Sequence, residues 1–280
     1  MNTQPKAINN LEGIKDTSWT NLLFVQYCIR IPSLATGVLQ LFTTFLQFYA
    51  IYLTIESATG SVALNVIRPY LTTIILLSLS YQVAFNESTV KFFLERYYRQ
   101  LDCFTASATP LYLIVASFVL ASASVSLLLA LVSFVIVHLF LGGFSTVIGV
   151  NNLIGLILLN SVVGSLWGVI SAVLLPNIIS IFFVILTTLN AIVFLTGGAI
   201  TNVTYTIAVI NPLYHTVNIT KHLMYVNSNG DIPAFVINFF KLKEAGICSA
   251  EISLLILCLF VIVGLIVLPL CSLYTRQIRA

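Results

Sequence analysis

The chain has 280 residues, of which 59% are hydrophobic and 8% charged, and its 12 Lys/Arg and 9 Asp/Glu leave a formal charge of +3. A soluble domain carries about 25% charged residues, so a water-facing surface for most of this chain is excluded. The small net charge also argues against nucleic acid as a partner. Lipid is the solvent this composition calls for, and a span of about 20 apolar residues is the natural unit for reading the chain.

The first residues, 1–16, are polar and lack the apolar stretch and small-residue cleavage site of a secretory signal. Residues 18–30 are amphipathic, with Trp19, Leu22, Leu23 and Gln26 about one helical turn apart and Arg30 at the end. A helix lying in the membrane interface fits that pattern, and so does a cytosolic extension of the first span. Residues 1–30 are therefore read as a cytoplasmic tail with an interface helix, and residues 31–275 as a transmembrane domain.

Six spans are predicted, at about 34–55, 68–85, 111–141, 151–174, 178–197 and 251–273. Pro69 falls in the first turn of the second, where it is tolerated. Gly142 and Gly143 end the third, Pro176 and Asn177 mark the turn after the fourth, and Gly197 and Gly198 end the fifth. Six spans put both termini on one side of the membrane. Lys6, Lys15, Arg30, Lys91, Arg96, Arg99, Arg276 and Arg279 collect on that side, against Arg68, Lys221, Lys241 and Lys243 on the other. Basic residues favour the cytoplasm, so both termini are predicted there.

Polar residues inside the spans usually face other helices or a water-filled path. The first span carries Gln40, Thr43, Thr44 and Gln47 at helical spacing, beside Phe45, Phe48, Tyr49 and Tyr52. Gln40, Thr44, Phe45, Gln47, Phe48 and Tyr52 are candidates for a translocation path; ordinary helix packing with an interfacial aromatic belt accounts for the same residues. The fourth span has a small-residue face of Ser161, Gly164, Ser165 and Gly168, suited to close packing within the chain or across a dimer.

Two polar interruptions divide the spans. In the first, Glu95 and Arg99 are four apart, as are Leu94 and Tyr98, which gives a short helix with a charged face and an aromatic–aliphatic face. In the second, residues 203–225 are apolar with scattered polar groups, and Asn211-Pro212 breaks them in the middle. Two half-helices that dip into the membrane and return fit this pattern, as does a surface loop with one interfacial helix. His215 and His222 are seven apart, but no third ligand points to a metal. The five cysteines form no CxxC pair. No phosphate-binding GxxxxGK[ST] loop and no HExxH motif occurs, and no cofactor is expected.

The run from Phe93 to Leu111, with its acid and base followed by Thr109-Pro110-Leu111, resembles the signature between the second and third spans of ABC-2 type permeases, the membrane subunits of type V ATP-driven exporters. Gly197-Gly198 followed by Ala208-Val-Ile-Asn-Pro-Leu-Tyr-His215 resembles the same family's approach to its last span. This chain departs from the family at 204–210, where Thr-Tyr-Thr-Ile-Ala-Val-Ile replaces a Pro-Trp or similar aromatic stretch.

The resemblance implies an all-α integral membrane fold: a six-transmembrane-helix bundle with an N-terminal amphipathic interface helix, a cytoplasmic coupling helix and outer re-entrant helices between spans five and six. It further implies a dimer of this chain, or of this chain and a close homologue, served by two separate ABC ATPase subunits. Glu95, Arg96, Arg99 and Asp102 would contact those subunits, and Asn211 and Pro212 would mark the re-entrant segment. The expected activity is not enzymatic: it is export of a glycan, lipid-linked or amphiphilic drug-like substrate across a bacterial inner membrane. The alternative is an ion-coupled six-span carrier or a membrane-embedded enzyme. Such proteins place ionisable groups at mid-membrane, whereas the spans here hold His138, with Glu56, Arg68 and Glu251 near their ends.

Overall fold

The computed structural model describes residues 61–98, 111–141, 149–175, 178–196, 209–227 and 249–277, together with Val38, Leu39, Phe42, Leu46, Tyr49 and Leu53. These residues form six long helices: α1 (Ser61–Tyr97), α2 (Leu111–Leu141), α3 (Val150–Leu174), α4 (Ile179–Thr196), α5 (Pro212–Asn227) and α6 (Ala250–Gln277). Among the described residues there is no strand. Val38, Leu39, Phe42, Leu46, Tyr49 and Leu53 are also helical, and they are exposed. The rest of the predicted first span and the predicted interface helix lie outside the described residues.

Three helices are long and apolar enough to cross a membrane, over Ile114–Ile136, Val150–Leu174 and Ala250–Val267. They fall on the predicted third, fourth and sixth spans. The predicted fifth coincides with α4, whose apolar stretch, Ile179–Asn190, is shorter. The predicted second span lies within α1. That helix is rich in hydroxyl and amide side chains, and Thr72, Thr73, Ser78, Ser80 and Gln82 are all buried by its neighbours. A helix enclosed by other helices does not need the apolarity of one that faces lipid.

The centre of the bundle is the pair α1 and α3, against which α2 packs on both. Their close approach comes from the small-residue face of α3. A Cβ on Gly164 would lie 2.6 Å from the Tyr81 carbonyl oxygen, and one on Gly168 would overlap the Ser88 hydroxyl and sit 2.5 Å from the Phe85 carbonyl. The predicted small-residue face therefore packs within the chain, on α1. Residue numbers rise together across this pair, so α1 and α3 are parallel. α4 is antiparallel to α1: Phe182 stacks on Phe93 with centroids 3.6 Å apart, and Asn190 Nδ2 donates to Asn86 Oδ1 at 2.6 Å.

Helix α1 also extends the expected element. The second span was predicted to stop at Phe85, before a polar interruption with its own short helix; instead the helix runs on without a break to Tyr97. Its 37 residues make a rod about 55 Å long, against a hydrocarbon layer of about 30 Å. Polar residues do not interrupt it because they bond back to it. Ser88 Oγ donates to the Ala84 carbonyl at 2.8 Å, and Thr89 Oγ1 donates to that of Phe85.

The burial is uneven. The apolar window of α3 is 67% buried and that of α6 only 17%. Leu255, Leu259, Ile262 and Ile266 form an exposed stripe along α6, and Leu128, Leu131, Val135 and Leu139 continue exposed apolar surface on α2. So much contiguous exposed apolar surface is a lipid-facing belt.

Candidate functional site

Two places gather the polar chemistry of this bundle. The first is the C-terminal end of α1. Glu87, Lys91 and Glu95 follow at four-residue intervals and so share one face of the helix. Glu87 and Glu95 are 6% and 3% exposed, and Lys91 is half-buried. Beside them the Arg96 guanidinium donates from Nη1 to the Val173 carbonyl at 2.9 Å and from Nη2 to the Leu175 carbonyl at 2.8 Å. Those carbonyls belong to the last turn of α3 and the residue just past it, which have no intrahelical donors left. A cation there also meets the negative end of the helix dipole. Arg96 additionally sits 5.6 Å from the centre of the Phe93 ring, which is itself stacked on Phe182 of α4. One side chain thus joins α1 to the α3–α4 corner.

The second place is α5. Asn211 caps it: Asn211 Oδ1 accepts from the Leu213 backbone N–H at 2.9 Å, and Pro212 takes the first helical position. Asn211 Nδ2 donates to the Val193 carbonyl of α4 at 2.7 Å, so the cap also anchors the helix start to its neighbour. From there α5 enters the bundle. Leu213, His215, Thr216, Val217 and Thr220 are buried. Thr216 Oγ1 donates to Asn160 Oδ1 at 2.6 Å, and Asn160 Nδ2 donates to the Leu77 carbonyl of α1 at 3.2 Å. Asn218 Nδ2 donates to Ser253 Oγ at 2.8 Å, in the first turn of α6. Residue numbers fall along α6 as they rise along α5, so the two are antiparallel, and the start of α5 lies beside the interior of α6. The Asn211 side chain at that start is itself buried, with its polar atoms bonded to Val193 and Leu213.

Polar pairing continues on the other side of α3. Ser126 of α2 donates to the Ser80 carbonyl of α1, and its oxygen is 3.1 Å from Ser161 Oγ. Lys221, further along α5, is partly buried, and loss of water pushes its ammonium down to a pKa of about 8.

The sequence-predicted residues are distributed as follows. Glu95 is buried in α1, and Arg96 is committed to the end of α3; neither sits on a separate short helix. Arg99 and Asp102 lie outside the described residues, as do Gln40, Thr44, Phe45, Gln47, Phe48 and Tyr52. Asn211 and Pro212 lie together at the start of α5. His215 is buried and His222 exposed, so that pair does not form a site. Among the described residues no cluster of three or more His, Cys, Asp or Glu could hold a metal ion. Sequence reasoning missed Asn160, the one amide in the interior of the apolar α3, and its partner Thr216. A lone amide within an apolar span was the available signal.

The helices, the buried polar seams and the exposed apolar belt define a helical membrane protein. The sequence matches no protein-family model, and no curated protein matches it significantly.

Proposed function

We propose that this chain is the membrane subunit of an ATP-driven exporter of the ABC-2 type, working as a dimer with separate ATPase subunits. Two lines support the reading. The motifs at 93–111 and 197–215 stand in the order and spacing that the family resemblance implies. The observation that carries it is the joint at Arg96. An exporter driven by a soluble motor needs a stiff element that receives force at one end and delivers it to the spans. α1 is a continuous rod longer than the hydrocarbon layer, and it ends two residues before Arg99. Its last turn is bonded through Arg96 to α3 and stacked through Phe93 on α4. Force applied near Arg99 and Asp102 would reach three helices through these contacts. On this reading α5 is the covered half of the re-entrant segment between spans five and six, the termini are cytoplasmic, and the cargo is a glycan, lipid-linked or amphiphilic molecule.

The test is charge reversal beyond the joint. Arg99→Glu and Asp102→Lys, made separately in the full chain, should lower recovery of an associated ATPase at least severalfold while the chain itself still inserts and purifies. Undiminished association in both variants would remove the coupling assignment.

A second reading, an ion-coupled carrier, has one observation in its favour. Glu87 and Glu95 are buried carboxylates one turn either side of Lys91, and buried ionisable groups in a membrane domain often serve ion movement. Under that reading Glu87→Gln and Glu95→Gln abolish a proton- or sodium-dependent flux in vesicles held without nucleotide. Under the exporter reading there is no such flux to abolish.

A further inference from the structure

The contacts between α1 and α3 fix how the two helices are staggered. The Leu77 carbonyl is held by Asn160, Tyr81 and Phe85 face Gly164, Ser88 and Thr89 face Gly168, and Arg96 reaches Val173 and Leu175. The apolar span Val150–Leu174 therefore runs beside α1 as far as Arg96. The surplus length of α1 lies at its Ser61 end, since Leu77 stands deep in α1 where its partner Asn160 is nearer the start of α3. Past Arg96 the described part of this segment holds Tyr97 and Tyr98, and the Tyr98 N–H still donates to the Leu94 carbonyl at 2.9 Å. The last turn of α1 is thus level with the end of an apolar span.

The exposed surface at that level is aromatic and apolar. Tyr97 and Tyr98 are 38% and 62% exposed, with their rings edge-to-face. Leu174 and Ile178, at the α3–α4 corner, are 71% and 53% exposed. Among the described residues of 92–98, 171–175 and 178–184, no exposed side chain is charged. The other end of the bundle differs. There Asn151 and Asn152 of α3 and Glu251 of α6 are exposed. α6 starts at the same end as α3, with Leu257 clustered with Leu153 and Leu156 and Gly264 against Leu166.

The lipid-facing belt also reaches the Tyr97 end. Ile181, Phe183 and Val184 are exposed on the first turns of α4, and so is Leu120 on α2, two residues from the Phe118 ring that meets Phe92. A tyrosine combines an apolar ring with a polar tip, and it is enriched where hydrocarbon gives way to headgroups. Such a boundary is a level around the whole bundle, so its markers need not touch one another.

We propose that the bundle end marked by Tyr97, Tyr98, Leu174 and Ile178 docks in the phospholipid headgroup layer, with the two phenol hydroxyls among the headgroups and Leu174 and Ile178 against the upper acyl chains. A corner standing in water would expose charge rather than leucine and isoleucine. It follows that Glu87 and Glu95, which are covered by protein, lie within the depth of the membrane, and that a soluble partner meets this segment only beyond Tyr98. The inference stands apart from the exporter reading: a chain that binds no ATPase would still dock here, and a corner found in water would still leave Arg99 and Asp102 open to an ATPase.

The test uses tryptophan as a depth reporter. Tyr98→Trp and Leu174→Trp are made separately in the full chain carrying Trp19→Phe and reconstituted in phosphatidylcholine vesicles; the signal of Trp167 is subtracted using the Trp19→Phe parent. Three quenchers are compared: phosphatidylcholine with a nitroxide on its headgroup, phosphatidylcholine brominated near the ends of its acyl chains, and aqueous iodide. The added tryptophan should be quenched at least twofold more strongly by the headgroup nitroxide than by either of the others. Stronger quenching by iodide would place the corner in water, stronger quenching by the deep bromines would place it in mid-membrane, and no quenching by any of the three would mean that protein covers it. Each of these results overturns the proposal. Both positions are exposed, and either variant decides the matter where the other fails to purify.

Discussion

Thr216 Oγ1 donates a 2.6 Å hydrogen bond to Asn160 Oδ1, and this bond fastens α5 to the α1–α3 pair. Both side chains are fully buried, and the Asn160 amide passes the connection on to the Leu77 carbonyl. Thr216→Val removes the donor at almost constant volume and leaves Asn160 Oδ1 without it. Hydrogen bonds between membrane helices are worth on average about 0.6 kcal/mol and at most about 1.7, and an orphaned buried acceptor adds to the loss. Thermal denaturation in detergent should show Thr216→Val destabilised by about 1–2 kcal/mol. Thr187→Val, on an exposed hydroxyl that bonds only its own helix, should be near neutral. Equal effects would mean that the seam does not hold α5.

The glycines of α3 make a sharper comparison. Gly168→Ala places a methyl into the Ser88 hydroxyl and against the Phe85 carbonyl, and backbone on that side cannot give way cheaply. Overpacking of this kind costs typically about 1–3 kcal/mol. Gly155→Ala, in the same helix, meets nothing within 4 Å. It should be neutral or gain about 0.5–1 kcal/mol from helix propensity. Melting temperatures of the two variants should therefore move in opposite directions or differ clearly in size.

Arg96→Lys keeps the charge and loses the fork that reaches two carbonyls at once. Hydrogen bonds from charged groups contribute about 1.5–3 kcal/mol, and a lysine can recover only part of this. The expected signature is a local one: faster amide hydrogen exchange in 170–175 and at the end of α1, with the centre of α3 unchanged. Unchanged exchange would show that the guanidinium does not hold the corner.

Lys221 gives a pH dependence whose sign is fixed. Its pKa lies near 8 in the folded chain and at 10.5 when free. Below pH 8 both states are protonated, and the burial penalty on the charge is present in full. Between pH 8 and 10.5 the folded chain binds fewer protons than the unfolded one, so stability rises with pH across that window. Lys221→Met should flatten the rise between pH 8 and 10.5. A wild-type profile that is flat or falling from pH 8 to 10.5 would contradict this.

Much of the bundle was legible because apolar runs bounded by helix breakers define helices. The predicted 111–141 coincides with α2, and 151–174 matches α3 to one residue at its start. The residue just before that start is Gly149, whose φ of 73° is a left-handed conformation that other residues adopt at a cost. The end of α1 was not legible. Glu87, Ser88, Lys91 and Glu95 read as a polar break, yet Glu87, Ser88 and Glu95 are buried, Lys91 is half-buried, and the helix runs through all four without a break. Whether the small residues of α3 packed inward or across a dimer was likewise undecidable from spacing alone, since a helix face does not name its partner. At α5, Asn211-Pro212 marks the start of a helix; the position of that helix in the bundle depended on Asn160 and Ser253, which are far away in sequence.

The proposed function has this membrane domain driven by a separate ATPase through the end of α1. Its most direct test is affinity purification of the full chain from its native membrane into nanodiscs, followed by measurement of vanadate-sensitive ATP hydrolysis and of subunit stoichiometry. An ATPase subunit should be present in equimolar amount, and hydrolysis should disappear with Arg99→Glu. A chain recovered intact and folded, with no ATPase bound and no hydrolysis, would contradict it.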